Sequence, residues 1–401
     1  ALEKQTFPLQ QMEVIVVADG CNDTTIEMLK KHKATYALQF IDQLGQGPAV
    51  ARNKGAALAN GTLLLFIDDD IEPSVDLIAA HVNAHKIKNR VVIGYLPFVI
   101  PKRAGFYHLG LWSWWEDKFH EMRNPGYWYN FEDLLSGSFS LPAKLFHQVN
   151  GFDSTFRCRE DYELGLRLIK AGTNFHFCEK AWGYHRDTVT NLNRSLQRKR
   201  QEGKADIRSG RLHPDLIIRL NRLMQLKGPF TKSQSLMHFF VFNMPALADA
   251  AAAGLQRWMD ILEWFRIRSA WRKWNDRLHD YWYLRGVADE LRSQKKLNTY
   301  FQENLTNATP VDIVEIDLKK GLSEAEAFLD KERPVTARLL YGHHVVGDFP
   351  FWPGAERLRG AHLRLMLSTT LSWPMMEALA FEKTLLQTTE NPQELYYGKM
   401  D

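Results

Sequence analysis

The sequence predicts an α/β fold for residues 1–190: a sheet with helices on both faces, followed by a helical extension and a small β-rich module. Three observations carry that reading. Short apolar runs alternate with amphipathic stretches through residue 185, the rhythm of α/β domains. One run, Leu63 to Ile67, is apolar on both faces, as central strands of covered sheets are. The length, 401 residues with 45% hydrophobic content, is enough for a core and for more than one domain. Changes of pattern place boundaries at residues 1–190, 191–300 and 310–401.

In chain order, Glu13 to Val17 in "EVIVVADG" reads as a strand ending in a polar turn. "TTIEMLKKH" follows as a helix, "ALQFID" as a strand, and "GPAVARNKGAALAN" as a helix closed by Asn60 and Gly61. "TLLLFIDDD" is the third strand, so three aspartates stand at the carboxyl end of a buried strand, where open α/β sheets bind ligands. Adjacent carboxylates repel one another unless they are solvated, paired or neutralised by a cation. A hard divalent cation takes oxygen ligands and keeps positions open for phosphates. In an extended chain Asp68 and Asp70 point the same way and suit such a metal-diphosphate site, while Asp69 points to the other side. The plain alternative is that "DIEPSVDLI" starts a helix which Asp70 caps.

A formal net charge of +4 is too small for this length to argue nucleic-acid binding. Charge is concentrated locally. From Arg186 to Lys232 there are 12 Lys or Arg against four Asp or Glu, a run that suits phosphates, an acidic membrane face, or merely a solvated helix and loop. The three cysteines, Cys21, Cys158 and Cys178, have no C-x-x-C spacing, which argues against a disulfide framework or zinc site and fits a reducing, cytoplasmic compartment. No leader-like segment opens the chain. His238 to Leu255 is interrupted by Asn243, Pro245 and Asp249, so no membrane-crossing helix is expected.

Four blocks occur in order over about 175 residues: "EVIVVADGCNDTT", "GPAVARNKGAALANGTLLLFIDDD", "GSFSLPAKLFHQVNGFDSTF" and "REDYELGLRLIKAGTNFHF". In these the chain resembles the family 2 nucleotide-sugar glycosyltransferases of the GT-A, Rossmann-like fold. The resemblance implies metal-dependent, inverting transfer of a hexose from a UDP- or GDP-sugar to a glycan or lipid-linked acceptor, with Mn2+ or Mg2+ as cofactor. It implies that Asp19 bonds the nucleobase with Arg52 beside it, although Ala18 stands where the family commonly has an acid. It places Asp68 and Asp69 against the donor, and Asp68, Asp70 and His185 around the metal. Glu160 and Asp161 match the family's E-D pair, Asp161 as general base and Glu160 toward the acceptor.

The chemistry asks for such groups independently. Negative charge builds on the leaving phosphate, which a metal stabilises, and a sugar hydroxyl needs a carboxylate to take its proton. With one base acting opposite the leaving group, the anomeric configuration inverts. In "EDYELGLRLIKAG", Leu164, Leu168 and Ala171 share one face, so Asp161 begins an amphipathic helix whose dipole favours the ionised form. Simpler readings stand beside these: Asp19 as a turn former before Gly20, Glu160 and Asp161 as first-turn acids, and His185, after a short edge strand, as a structural histidine.

Gly105 to Phe131 holds ten aromatics in 27 residues, which suits an acceptor site around Trp112, Trp114 and Trp115, or a hydrophobic lid. Gly254 to Leu291 reads as one or two helices with Trp258, Trp264, Trp271, Trp274 and Trp282 among Arg and Lys. Such helices lie in a membrane interface, at the inner face of the membrane for a cytoplasmic protein, or pack on their own domain. After a polar linker, "NTYFQENLTNATP", the segments "VDIVEIDL", "VTARLLYGHHVVGDFPFW" and "HLRLMLSTTLSW" suggest a small β-rich module closed by a helix. The sequons at Asn304 and Asn307 mean little without a secretory leader, and His343 and His344 have no ligand-spaced neighbours.

The family has a further strand and helix ahead of the strand that begins here at Glu13, where only 12 residues stand. A late start, also suggested by Ala1 in place of Met, is expected to expose two strand edges and the nucleotide site. Two other readings follow. One is a non-catalytic relative that binds nucleotide sugar or scaffolds envelope polysaccharide assembly. The other is a nucleotidylyltransferase, against which the missing glycine-rich, basic opening loop speaks.

Overall fold

The computed structural model describes residues 1–187, 189–305 and 312–390, with side chains through residue 383. The described chain forms two units, one from Ala1–His120 with Asn130–Ala308 and one from Glu121–Tyr129 with Thr309–Asp401. The helical extension thus shares a unit with the α/β part, whereas the sequence pattern divides them at residue 190.

The first unit opens with β1 (Glu13–Asp19), α1 (Thr25–Lys31), β2 (Ala37–Gln43), α2 (Pro48–Leu58) and β3 (Leu63–Ile67), where the pattern predicts them. β1 and β2 form a parallel pair of their own, from Glu13 opposite Ala37 to Asp19 opposite Gln43. The chain then turns through the aspartates into β4 (Ile71–Pro73) and α3 (Leu77–Ala84), and continues through β5 (Arg90–Tyr95), α4 (Phe106–Met122), β6 (Ser138–Pro142), α5 (Ala143–Gln148), α6 (Glu160–Lys170) and β7 (Asn174–His185). The second sheet runs β3-β6-β5-β7-β4. β5 and β7 are parallel, and the other neighbours are antiparallel.

Two expectations are corrected here. β3 is an edge strand bonded to β6, so only Leu64 of its five apolar residues is fully buried. β7 is an interior strand of 12 residues, and β4 is the edge beside it. β1 and β3 do not pair with each other, so each presents one unpaired edge among the described residues. The core behind the site is strongly apolar: Val91, Val92, Ile93, Phe139, Leu141, Leu164, Leu166 and Leu168 are buried, and each contributes about 1.5–3 kcal/mol of burial.

The remaining helices of this unit are α7 (Leu192–Leu212), α8 (Asn221–Gln225), α9 (Lys232–Asn243), α10 (Pro245–Trp264), α11 (Arg268–Leu291) and α12 (Gln294–Asn304). α7 and α11 cross closely because two glycines let them. A β-carbon on Gly203 would lie 2.2 Å from the Tyr283 carbonyl oxygen, and one on Gly286 would lie 1.9 Å from that of Arg200. The tryptophans divide: Trp271 and Trp282 are buried, whereas Trp258 and Trp264 are exposed. The polar "linker" is helical through Asn304, because Tyr300 and Phe301 are buried against the unit. Asn307 lies outside the described residues.

The second unit holds β8 (Val314–Asp317), α13 (Leu322–Glu332), β9 (Ala337–Tyr341), β10 (His344–Phe349), α14 (Gly360–Ser368) and α15 (Ser372–Glu390). Its sheet runs β10-β9-β8 around a core of Leu329, Leu339, Phe349 and Leu363. "HLRLML" lies in a closing helix: Leu363, Met366 and Leu367, spaced i, i+3, i+4, face that core. His344 approaches Glu382 at 3.9 Å, a neighbour no local spacing discloses.

Candidate active site

The carboxyl ends of β1, β3 and β7 and the amino ends of α2 and α6 supply the site. Asp19 ends β1. Its Oδ1 accepts hydrogen bonds from Gln43 Nε2 and the Gln46 amide, and its Oδ2 from the Gly47 amide, all at 2.7 Å. Partial burial opposes its charge, but these bonds and Arg157 hold the carboxyl below its usual range. Asp19 therefore fixes the loop between β2 and α2 and keeps part of its acceptor capacity open.

Arg52 was expected beside Asp19. It instead donates from Nη1 to Glu160 Oε1 and from Nη2 to Asp68 Oδ1, both at 2.8 Å, with its guanidinium 5.5 Å from the centre of the Phe152 ring. This clamp joins the end of β3 to the start of α6. Burial, together with the charges of Asp70 and Asp161, raises the Asp68 carboxyl against the pull of Arg52. Burial and the neighbouring Asp161 raise Glu160 in the same way.

The aspartates occupy a turn rather than extended chain: the Ile71 amide donates to the Asp68 carbonyl at 3.2 Å. A strand follows before α3, so Asp70 is not a helix cap. Asp69 is exposed and no bond joins it to the other site residues among those described. Asp70 is aimed at β7. Ile71 pairs with His185, the Arg186 amide donates to the Asp70 carbonyl, and Asp70 Oδ2 lies 3.3 Å from His185 Nε2.

Ligand atoms of Asp70, His185 and Asp187 lie within 4.8 Å of one another. Asp70 Oδ1 and His185 Nδ1 are buried without a hydrogen-bond partner, and Asp187 accepts from the Val189 and Thr190 amides. A carboxylate, imidazole and carboxylate with an orphaned buried oxygen fit a divalent cation. Asp68, named above as a ligand, is instead drawn to Arg52 and lies outside this trio. Asp187 was missed, although its place two residues after His185 was a usable signal.

Asp161, in the first turn of α6, is buried. Its Oδ2 accepts from Ser136 Oγ at 3.1 Å and its Oδ1 from the Tyr162 amide. Arg159, just before it, is left-handed at φ 60° and sends its guanidinium away to Glu202 and Asp206 on α7. Of the aromatics on α4, Trp115 reaches the site, its ring 5.7 Å from that of His185, with Phe98 at 5.6 Å from the same imidazole. Trp112 and Trp114 are exposed, and Trp114 touches the site only through Trp115. Ala171, placed on the buried face of α6 above, is exposed past its end.

Residues 1–149 match the family described as glycosyl transferase family 2, and residues 117–190 match the N-terminal domain of galactosyltransferase. Validoxylamine A glucosyltransferase of Streptomyces hygroscopicus subsp. jinggangensis is 28% identical, the match covering 45% of this chain and 50% of that protein. Glycosyltransferase AglE of Haloferax volcanii is 36% identical over 18% of this chain and 25% of its own. The chain spans about half the length of the first of these. Among solved structures, the mannosyltransferase PcManGT from Pyrobaculum calidifontis, in complex with GDP-Man and Mn2+, shares 17% identity over 72% of this chain and 80% of its own, with a TM-score of 0.44. S. aureus TarS 1–349 in complex with UDP-GlcNAc shares 16% over 78% and 88%, with a TM-score of 0.40. Over residues 1–149, within its α/β domain, the chain is therefore similar to glycosyltransferase family 2.

Proposed function

We propose that the chain transfers a hexose from a UDP- or GDP-sugar to a hydroxyl of a glycan or lipid-linked acceptor, with inversion at the anomeric carbon. The observation that carries this reading is the pairing of two centres: the Asp70, His185 and Asp187 trio, and Asp161 on the far side of the Arg52 clamp. Mn2+ or Mg2+, held by Asp70, His185 and Asp187, would neutralise charge on the leaving diphosphate. Asp161, in the first turn of α6 and held by Ser136 Oγ, takes the acceptor hydroxyl proton. Arg52 holds Asp68 and Glu160 in place beside the reacting groups. Asp19 fixes the loop at which the nucleobase would lie, and Trp115 packs on His185, orienting that ligand and lining the approach for the acceptor.

Calorimetry of UDP and GDP binding with and without Mn2+, on this chain and on Asp70→Ala, tests the reading. Metal-dependent binding to one nucleotide, lost in the variant, is expected. Binding of neither nucleotide would refute the donor site and favour the scaffold reading.

A further inference from the structure

We propose that the face formed by α9, α10 and the turn into α11 docks on the surface of an anionic lipid bilayer. α10 is apolar on two sides, and only one is used. Ala248, Ala252, Met259 and Leu262 are buried against its own unit. A second stripe, Leu247, Ala251, Gly254, Trp258, Ile261 and Phe265, recurs at alternating steps of four and three residues and stays exposed.

The stripe ends at the most exposed aromatics of the first unit. Trp264 is 77% and Phe265 60% exposed, in a turn where Arg266 adopts a left-handed φ of 59° before α11 begins. Leu236 and Phe239 on α9 add to the same kind of surface. Burying none of these in its own fold, the unit holds an apolar area of the sort that marks an interaction site.

Charge identifies the occupant. Arg257, Arg266, Arg268, Arg272 and Lys273 are exposed on and beside this face and make no ion pair among the described residues. From Arg257 to Arg277 there are six Arg or Lys against three Asp or Glu. A second copy of the chain would bring these like charges together. Lipid phosphates complement them, while Trp264, Phe265 and Ile267 suit the boundary between headgroups and acyl chains. No described helix is long and apolar enough to cross a membrane, so the contact is one of lying on the surface. It does not depend on the transfer reaction.

Sedimentation of the full chain with vesicles tests this, using phosphatidylcholine alone and an equal mixture with phosphatidylglycerol. Binding to the mixture, weakened by salt and absent from phosphatidylcholine alone, is expected. Arg266→Gln with Arg268→Gln should lower partitioning roughly 30-fold, and Trp264→Ser with Phe265→Ser at least about tenfold, with circular dichroism and melting unchanged. Trp258→Ser, farther along the stripe, serves as a second apolar variant should the double change disturb folding. Binding to neither vesicle, equal binding to both, or binding that ignores all these variants would overturn the proposal. So would a dimer by light scattering that the apolar variants dissolve without any vesicle binding, since a second copy would then own the face.

Discussion

Arg52 and Arg159 each bridge two carboxylates, yet the clusters they organise are opposites. Arg159 meets Glu202 at 3.0 Å and Asp206 at 2.5 Å, Lys199 adds a second cation 2.8 Å from Glu202, and the Tyr283 hydroxyl donates to Asp206. Burial opposes the charge on Glu202, but Lys199, Arg159 and Arg198 overcome it and pull the carboxyl down to about 2. Charges there balance, and the cluster ties α6 to α7. Around Arg52 burial acts together with like charges: Asp70 and Asp161 bear on Asp68, and Asp161 on Glu160, so both carboxyls are raised against the pull of Arg52. Sequence neighbours Arg159 and Glu160 face these two centres because Arg159 itself is left-handed, a strain the surrounding bonds hold in place. One cluster ties two helices together, and the other holds carboxyls pushed toward their neutral form by burial and like charge.

The contrast can be broken most sharply at Asp161. Asp161→Asn should lower transfer by roughly 10²–10⁴ while leaving the melting temperature unchanged or higher, because it removes a like charge. Turnover and a thermal melt on the same sample decide it, and an active variant would remove Asp161 from the role of base. Arg159→Met should do the reverse, costing about 3–5 kcal/mol in urea unfolding by stranding Glu202 and Asp206. Arg52→Met should cost less, since Asp68 and Glu160 are already poised toward protonation.

Acid titration of stability sharpens the same point. The folded value for Glu202, about 2, lies below its ordinary 4.5, so its contribution, roughly 3 kcal/mol, is present above 4.5 and lost as pH falls toward 2. Glu202→Gln should flatten that acid limb. Glu160 has the opposite sign: its raised carboxyl favours the fold at low pH and loses that advantage as pH rises, so Glu160→Gln should be neutral or slightly stabilising near pH 7. The smallest effect concerns the metal. Asp187→Asn should weaken Mn2+ binding roughly tenfold or more by titration calorimetry, and Asp68→Asn less. The reverse order would return Asp68 to the metal shell.

The elements were readable where a pattern is local. Apolar runs and turn residues place β1 through β3 and the start of α6, and acidic residues at element ends mark Asp19, Asp70 and Asp161 without any tertiary information. The same local reading took the segment up to Asn304 for a linker, because polarity does not reveal which side a neighbour will cover.

The sequence by itself determined the family resemblance of residues 1–149 and which strand end carries the acids, since both depend on residue type and short spacing. Only the tertiary structure decided which charges answer one another. Arg52 and Glu160 lie 108 positions apart, and Arg159 reaches Asp206 across 47. It also showed β3 to be an edge and set Asp187, rather than Asp68, beside Asp70 and His185. Ion pairing depends on distance in space and on local burial, and chain separation carries neither.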